Sequence, residues 1–199
     1  MLEKLLRSGA QAKALGVVLE GQPMHLREIA RRAGISPPQA KKELEIMHEL
    51  GIVRKERKGN MVFFPIDEKC LFLQELRGIY AKMEGVVPAL KKELAKIAGL
   101  KYCFVYGSYA NGKFGGKSDI DLLCIGDNGV EKFDAAVYKL QKNTGREINY
   151  IFWSMDDFAK KASEKGAFFN AVLKEKKLWI IGGEDEFGGA SQKRGDKKG

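Results

Sequence analysis

Two histidines, three cysteines and no stretch of eighteen apolar residues set the first limits on this chain. Without a long apolar stretch no membrane-spanning helix is expected. Residues 1–7 mix charged with apolar positions and lack the apolar run of a signal peptide, so a cytoplasmic location is expected. Cys70, Cys103 and Cys124 are odd in number, widely spaced and set among apolar neighbours. Reduced, buried thiols are therefore expected in preference to a disulfide or a zinc site. His25 and His48 are the only histidines, so no His/Cys cluster offers itself to a metal.

What is present describes an ordinary globular protein. Hydrophobic residues make up 44% and charged residues 31% of 199 positions, enough for one large core or two small ones. The net charge is +9, and it is unevenly spread. Residues 1–66 carry twelve Lys/Arg against seven Asp/Glu, whereas residues 67–183 carry nineteen against fifteen. A basic excess densest in the N-terminal third suits a polyanionic partner, although a soluble basic protein with no such partner has the same composition.

That third reads as helices followed by a hairpin. A first helix is expected at about 10–20. Leu26, Ile29, Ala30 and Ala33 recur at helical spacing until Gly34. Ser36 is a natural N-cap and Pro37 suits the first helical position of a segment running to about residue 50. Ala40, Leu44 and Met47 face its core. Residues 52–57 and 61–66 flank Lys58-Gly59-Asn60, the pattern of a β-hairpin with a basic tip. The stretch LREIARRAGISPPQAKKELEIMHELGIVRKERKGNMVFF resembles winged-helix transcriptional regulators. This resemblance implies that the 37–50 helix enters the major groove of duplex DNA with Gln39, Lys41 and Lys42 exposed, while Arg54, Lys55, Arg57 and Lys58 of the wing lie along phosphates. A protein–protein module is the alternative use of such a domain.

Leu73, Leu76, Tyr80, Met83 and Val87 then follow a 3-4-3-4 spacing, the seam of a helix that packs on another. Residues 67–99 are read as a helical connector, packed within the chain or joining two copies in a homodimer.

The chemistry lies beyond it. An apolar segment, Tyr102 to Tyr106, ends in Gly107-Ser108, and ten residues later comes Asp119-Ile120-Asp121. Alternate residues of a strand share a face about 6–7 Å apart. Two carboxylates held so repel one another unless cations neutralise them, and Mg²⁺ is the hard cation that shares its shell with phosphates. Gly107 lets backbone approach a phosphate, and Ser108 supplies a hydroxyl and an N–H. Gly-Ser, ten residues, Asp-x-Asp is similar to the pattern of the DNA polymerase β nucleotidyltransferase superfamily, particularly its minimal nucleotidyltransferases, over about 100–181. The resemblance implies a mixed sheet flanked by helices and transfer of a nucleoside monophosphate from a nucleoside triphosphate to a hydroxyl, with two Mg²⁺ ions. It implies Asp119 and Asp121 as metal ligands, and Gly107 and Ser108 as the phosphate-binding pair. A third acid on a neighbouring strand, catalytic and metal-binding in that family, falls on Glu147, where a surface charge paired with Arg146 is the competing reading. Lys117, in the loop, can neutralise the triphosphate, and Lys113 shares that loop.

The expected architecture is thus α+β. A winged helix of three helices and a hairpin (1–66) and the connector (67–99) precede a nucleotidyltransferase-fold mixed sheet flanked by helices (100–183). A tail without apolar content (184–199) is expected to lack structure. Three functions fit: a nucleotidyltransferase coupled to DNA, a regulator whose nucleotidyltransferase-like domain only senses a nucleotide, or an antitoxin-type regulator acting on a HEPN-domain protein.

Overall fold

The computed structural model describes residue 2 and residues 6–115, 118–127 and 129–195, with side chains through residue 191. The chain divides into two compact units, one formed by residues 1–84 with 112–117, the other by 85–111 with 118–199.

The first unit begins with three helices, α1 (Gly9–Leu19), α2 (Leu26–Ala33) and α3 (Pro37–Glu49), each started by a local cap. The Ser8 hydroxyl accepts from the Gln11 amide, and His25 Nδ1 accepts from the Glu28 amide. Ser36 and Gln39 form a reciprocal capping box, with Pro37 in the first turn where its missing N–H costs nothing. Gly34 ends α2 in the left-handed region (φ 61°), as expected of a C-terminal glycine. A short antiparallel hairpin, β1 (Glu56–Lys58) and β2 (Met61–Phe63), follows, and then α4 (Leu73–Met83). Leu15, Val18, Ile29, Leu44, Met47, Ile52, Val53, Phe64 and Leu73 make a largely aliphatic core, on which Leu76, Tyr80 and Met83 pack. Glu43 is the surprise in this core. Only 5% exposed, it accepts a hydrogen bond from the Ser8 hydroxyl at 3.0 Å, a partner that helical periodicity alone does not reveal.

The second unit opens with α5 (Val86–Leu94) and continues through β3 (Leu100–Tyr106), α6 (Gly107–Ala110), β4 (Ile120–Gly126), α7 (Val130–Thr144), β5 (Ile148–Trp153), α8 (Met155–Glu164), α9 (Ala167–Lys174), β6 (Leu178–Ile181) and α10 (Glu184–Gly195). Its four strands form one mixed sheet in the order β5-β4-β3-β6, with β4–β5 parallel and the other two pairings antiparallel. Side chains alternate across it. Tyr102, Phe104, Leu123, Ile125 and Trp153 share one face and join Phe158, Phe169 and Phe187 in a largely aromatic core under α8, α9 and α10. Leu90, Leu94, Phe133, Val137 and Leu140, from α5 and α7, are likewise buried.

Two sequence expectations are corrected. Cys103 and Cys124 are disulfide-bonded, not free thiols, because β3 and β4 pair in antiparallel register and place the two residues opposite each other with Cα atoms 4.2 Å apart. Only Cys70 is free. The stretch 184–195, expected to lack structure, forms α10, whereas 196–199 lie outside the described residues. One residue accounts for it: Phe187 is fully buried, its ring 5.3 Å from Phe104 and from Phe158 and 5.5 Å from Tyr102. A single aromatic anchor outweighs the polar, glycine-rich composition around it. Among the described residues no helix is long and apolar enough to cross a membrane.

Candidate active site

The two halves of the Gly-Ser/Asp-x-Asp pattern meet at the ends of neighbouring strands. β3 and β4 pair so that Tyr106 stands opposite Asp121, and the chain leaves β3 directly through Gly107. Gly107 has φ +70°, and a Cβ built on it would lie 2.8 Å from Asp121 Oδ2. The backbone angle favours glycine, and a larger residue would also have to turn the Asp121 carboxylate aside. The short α6 turn is held by Asn111, whose side-chain and backbone N–H groups donate to the Gly107 carbonyl at 2.9 and 3.2 Å. Ser108 stays exposed beside it.

Asp121 is half-buried and Asp119 exposed. The Asp121 carboxyl is pushed above the usual aspartate range, first by burial, then by the charges of Asp119 and Glu175. Tyr106 is raised as well, by burial and then by Asp121 and Glu175. Glu175, the residue that ends α9, thus belongs to this site. Its Oε2 accepts a hydrogen bond from the Gly107 amide at 3.2 Å. Sequence reasoning missed it, since it lies far from the motif in the chain and carries no spacing signal of its own.

Arg146 fixes the approach to the aspartates. It donates to the Ser118 carbonyl at 3.2 Å and its guanidinium lies 5.7 Å from the centre of the Tyr109 ring. Glu147 immediately precedes β5, and its carbonyl accepts from the Ile120 amide at 3.0 Å. Ile120 pairs with Ile148 and Asp121 with Asn149, so Glu147 stands level with Asp119, and the residue beside Asp121 is an amide. Among the described residues no three His, Cys, Asp or Glu side chains converge closely enough to hold an ion. Asp119 and Asp121 are brought together; Glu147 does not complete a three-acid cluster with them. Lys113 is exposed, and Lys117 lies outside the described residues.

The residues expected to meet DNA are exposed throughout: Gln39, Lys41 and Lys42 on α3, and Arg54, Lys55, Arg57 and Lys58 on and before the hairpin. Several have partners already. Gln39 Oε1 accepts from the Ser36 amide, Lys55 pairs with Glu45, Arg54 lies 3.3 Å from Glu56, and Lys58 sits over the Phe63 ring.

A four-stranded mixed sheet, with Gly-Ser at the end of one strand and Asp-x-Asp entering its neighbour, is the arrangement of a nucleotidyltransferase domain. The family match agrees. Residues 87–180 match the nucleotidyltransferase domain family. No curated protein matches the chain. Solved structures match with low similarity. One, described as a toxin–antitoxin with AMP-PNP, shares 17% identity over 54% of this chain and 82% of its own, with a TM-score of 0.41. Another, described as a tri-AMPylated Shewanella oneidensis HEPN toxin in complex with MNT antitoxin, shares 12% over 54% and 82%, with a TM-score of 0.33. A nucleotidyltransferase from Sulfolobus solfataricus, itself described only as a putative one, shares 16% over 52% and 85%, with a TM-score of 0.29.

Proposed function

We propose that residues 100–183 transfer a nucleoside monophosphate from a nucleoside triphosphate to a hydroxyl, and that residues 1–66 form a winged helix that binds duplex DNA. The observation that supports the first reading is the pairing of β3 with β4, which sets Tyr106 opposite Asp121 and so brings Gly107 and Asp121 to the same end of the sheet. The donor set suits Mg²⁺: two hard carboxylates, one of them raised by burial and by its acidic neighbours. Asp119 and Asp121 would hold Mg²⁺, two ions by the resemblance, and the metal would supply the positive charge that an in-line displacement at phosphorus requires. Gly107 and Ser108 hold the phosphates, Lys117 offsets their charge, and Glu147 accepts the proton of the acceptor hydroxyl.

Incubation with each labelled nucleoside triphosphate, Mg²⁺ and cell extract tests this. Label should appear on an acceptor, a HEPN-domain protein among the candidates, and vanish in Asp119→Ala/Asp121→Ala. With an acceptor in hand, Glu147→Gln should lower transfer by roughly 10²–10⁴-fold while leaving nucleotide affinity nearly unchanged. Unchanged turnover removes Glu147 from the mechanism.

One observation favours a second reading, a regulator that only senses a nucleotide: the residue in register with Asp121 on β5 is Asn149, which cannot take a proton. Tight nucleotide binding, nucleotide-dependent DNA affinity and no transfer to any acceptor would establish that reading in place of the first.

The winged-helix reading is supported by three capped helices followed by a hairpin, with the exposed cations of α3 and the hairpin region. Gel shifts with the DNA upstream of the gene should show binding that weakens steeply with salt. Silence at low salt would turn this unit into a protein-interaction module.

A further inference from the structure

The Gly107 amide is where the proposed reading seats a phosphate, and a carboxylate of the protein is already on it. Glu175 Oε2 accepts the Gly107 N–H at 3.2 Å, although this places a third negative charge near Asp119 and Asp121. The backbone that delivers it is firmly held. The Lys177 ammonium, its side chain 1% exposed, donates to the Leu173 carbonyl at 3.0 Å, to the Glu175 carbonyl at 3.0 Å and to Glu184 Oε1 at 2.9 Å. These three acceptors satisfy all three ammonium protons, fixing the turn between α9 and β6. The Glu175 carboxylate itself is exposed. Its main chain is thus anchored while its head group can turn into water at little desolvation cost.

An N–H has one proton, and one good acceptor takes it. A phosphate oxygen and the Glu175 carboxylate cannot both receive a well-aligned bond from Gly107. A phosphate there and the Glu175 carboxylate also repel one another, and Asp121, whose carboxyl already feels the Glu175 charge, adds to that repulsion.

We propose that Glu175 is a built-in competitor for the nucleotide's phosphate at the Gly107 amide, and that it sets the affinity of this site for triphosphate. The proposal rests on the phosphate role of Gly107. Nucleotide enters by displacing the carboxylate, and the site without nucleotide keeps its amide satisfied by Glu175. The same contact makes binding selective, since only a ligand bringing enough charge-assisted bonds, or enough cation, displaces it.

The test uses the full chain, calorimetry with Mg²⁺ plus ATP, GTP, CTP or UTP, and inorganic triphosphate with Mg²⁺ as a probe that lacks a base. Glu175→Ala removes both charge and acceptor, whereas Glu175→Gln keeps the acceptor and removes the charge. Both should bind triphosphate more tightly than wild type, by roughly ten- to a hundredfold for Ala and less for Gln. In the absence of ligand, the Gly107 amide proton resonance should move in Glu175→Ala, because its acceptor has gone. Affinity equal to or weaker than wild type in Glu175→Ala overturns the proposal, the weaker case making Glu175 a ligand of metal or nucleotide. If the amide resonance moves but neither wild type nor variants bind any probe, the phosphate reading of Gly107 has failed and the competitor proposal falls with it. That outcome is distinct from a site that binds triphosphate indifferently to Glu175.

Discussion

The two units solve opposite electrostatic problems on different kinds of core. The first is built on aliphatic side chains and displays Lys41, Lys42, Arg57 and Lys58 on short elements. The second is built on aromatic rings, Tyr102, Phe104, Phe158, Phe169 and Phe187 among them, and sets Asp119 and Asp121 at the end of its sheet, where the charges of Asp119 and Glu175 both act on Asp121. Exposed cations keep their hydration and cost little to display, so small helices and a hairpin suffice. Converging carboxylates repel one another and have to be held by something stiff. A four-stranded sheet stacked on close-packed rings provides that stiffness.

Four experiments break or sharpen this contrast. The largest effect is expected from Asp119→Ala with Asp121→Ala, which should abolish Mg²⁺-dependent triphosphate binding in calorimetry while leaving DNA gel shifts intact. Loss of both together would mean that the two activities are not separable. Phe187→Ala comes next, and should cost about 3–5 kcal/mol by removing a ring buried among four others. Trp153 and Trp179 are the chain's two tryptophans and both lie in the second unit, so denaturant unfolding followed by tryptophan fluorescence reports that unit alone. A cost under about 1 kcal/mol would show that α10 is not part of that core.

Lys41→Ala with Lys42→Ala should weaken DNA binding and reduce the slope of log affinity against log salt by about 2, since each lysine that neutralises a phosphate releases roughly one counterion. An unchanged slope removes these lysines from the interface. The smallest effect is on stability. Because the folded-state pKa of Asp121 is raised, folding takes up a proton there, and stability falls as pH rises from about 4 through that raised value. Asp121→Asn should erase this fall and raise the melting temperature at neutral pH by on the order of 1–3 °C. A lower melting temperature would mean that the carboxylate is better accommodated than its neighbours suggest.

Local signals carried most of the fold. Ser36-Pro37, Gly34 and the apolar spacing of α2 and α3 place those helices to within a residue or so, because caps and periodicity are written in adjacent positions. The Gly107-Ser108 and Asp119-Ile120-Asp121 segments are equally local, one leaving β3 and the other entering β4. What escaped was information held in register and in distant partners. Cys103 and Cys124 are ordinary apolar-flanked cysteines until antiparallel pairing sets them face to face. Glu147 is the only acid between Arg146 and Trp153, but that it stands level with Asp119, with Asn149 beside Asp121, is written in the register of β4 with β5 and not in the spacing. Glu175 reaches Gly107 from 68 positions away, and Phe187 organises a segment whose composition argues against order.

The position of β6 has a kinetic consequence. Its partner β3 lies near the start of the unit, so the pairing of Cys103 with Ile181 and Phe104 with Trp179 closes a loop containing almost every other element of the domain. Contacts of such long sequence separation form late, because loop-closure entropy has to be met before the pairing rewards it. Until then β3 presents an open strand edge, with Tyr102 and Phe104 bare of Phe187 and Trp179. Unpaired edges with uncovered aromatic faces recruit other chains. A chain stopped before residue 178 therefore does more than lose a strand; it leaves the sheet in the form most prone to self-association during synthesis.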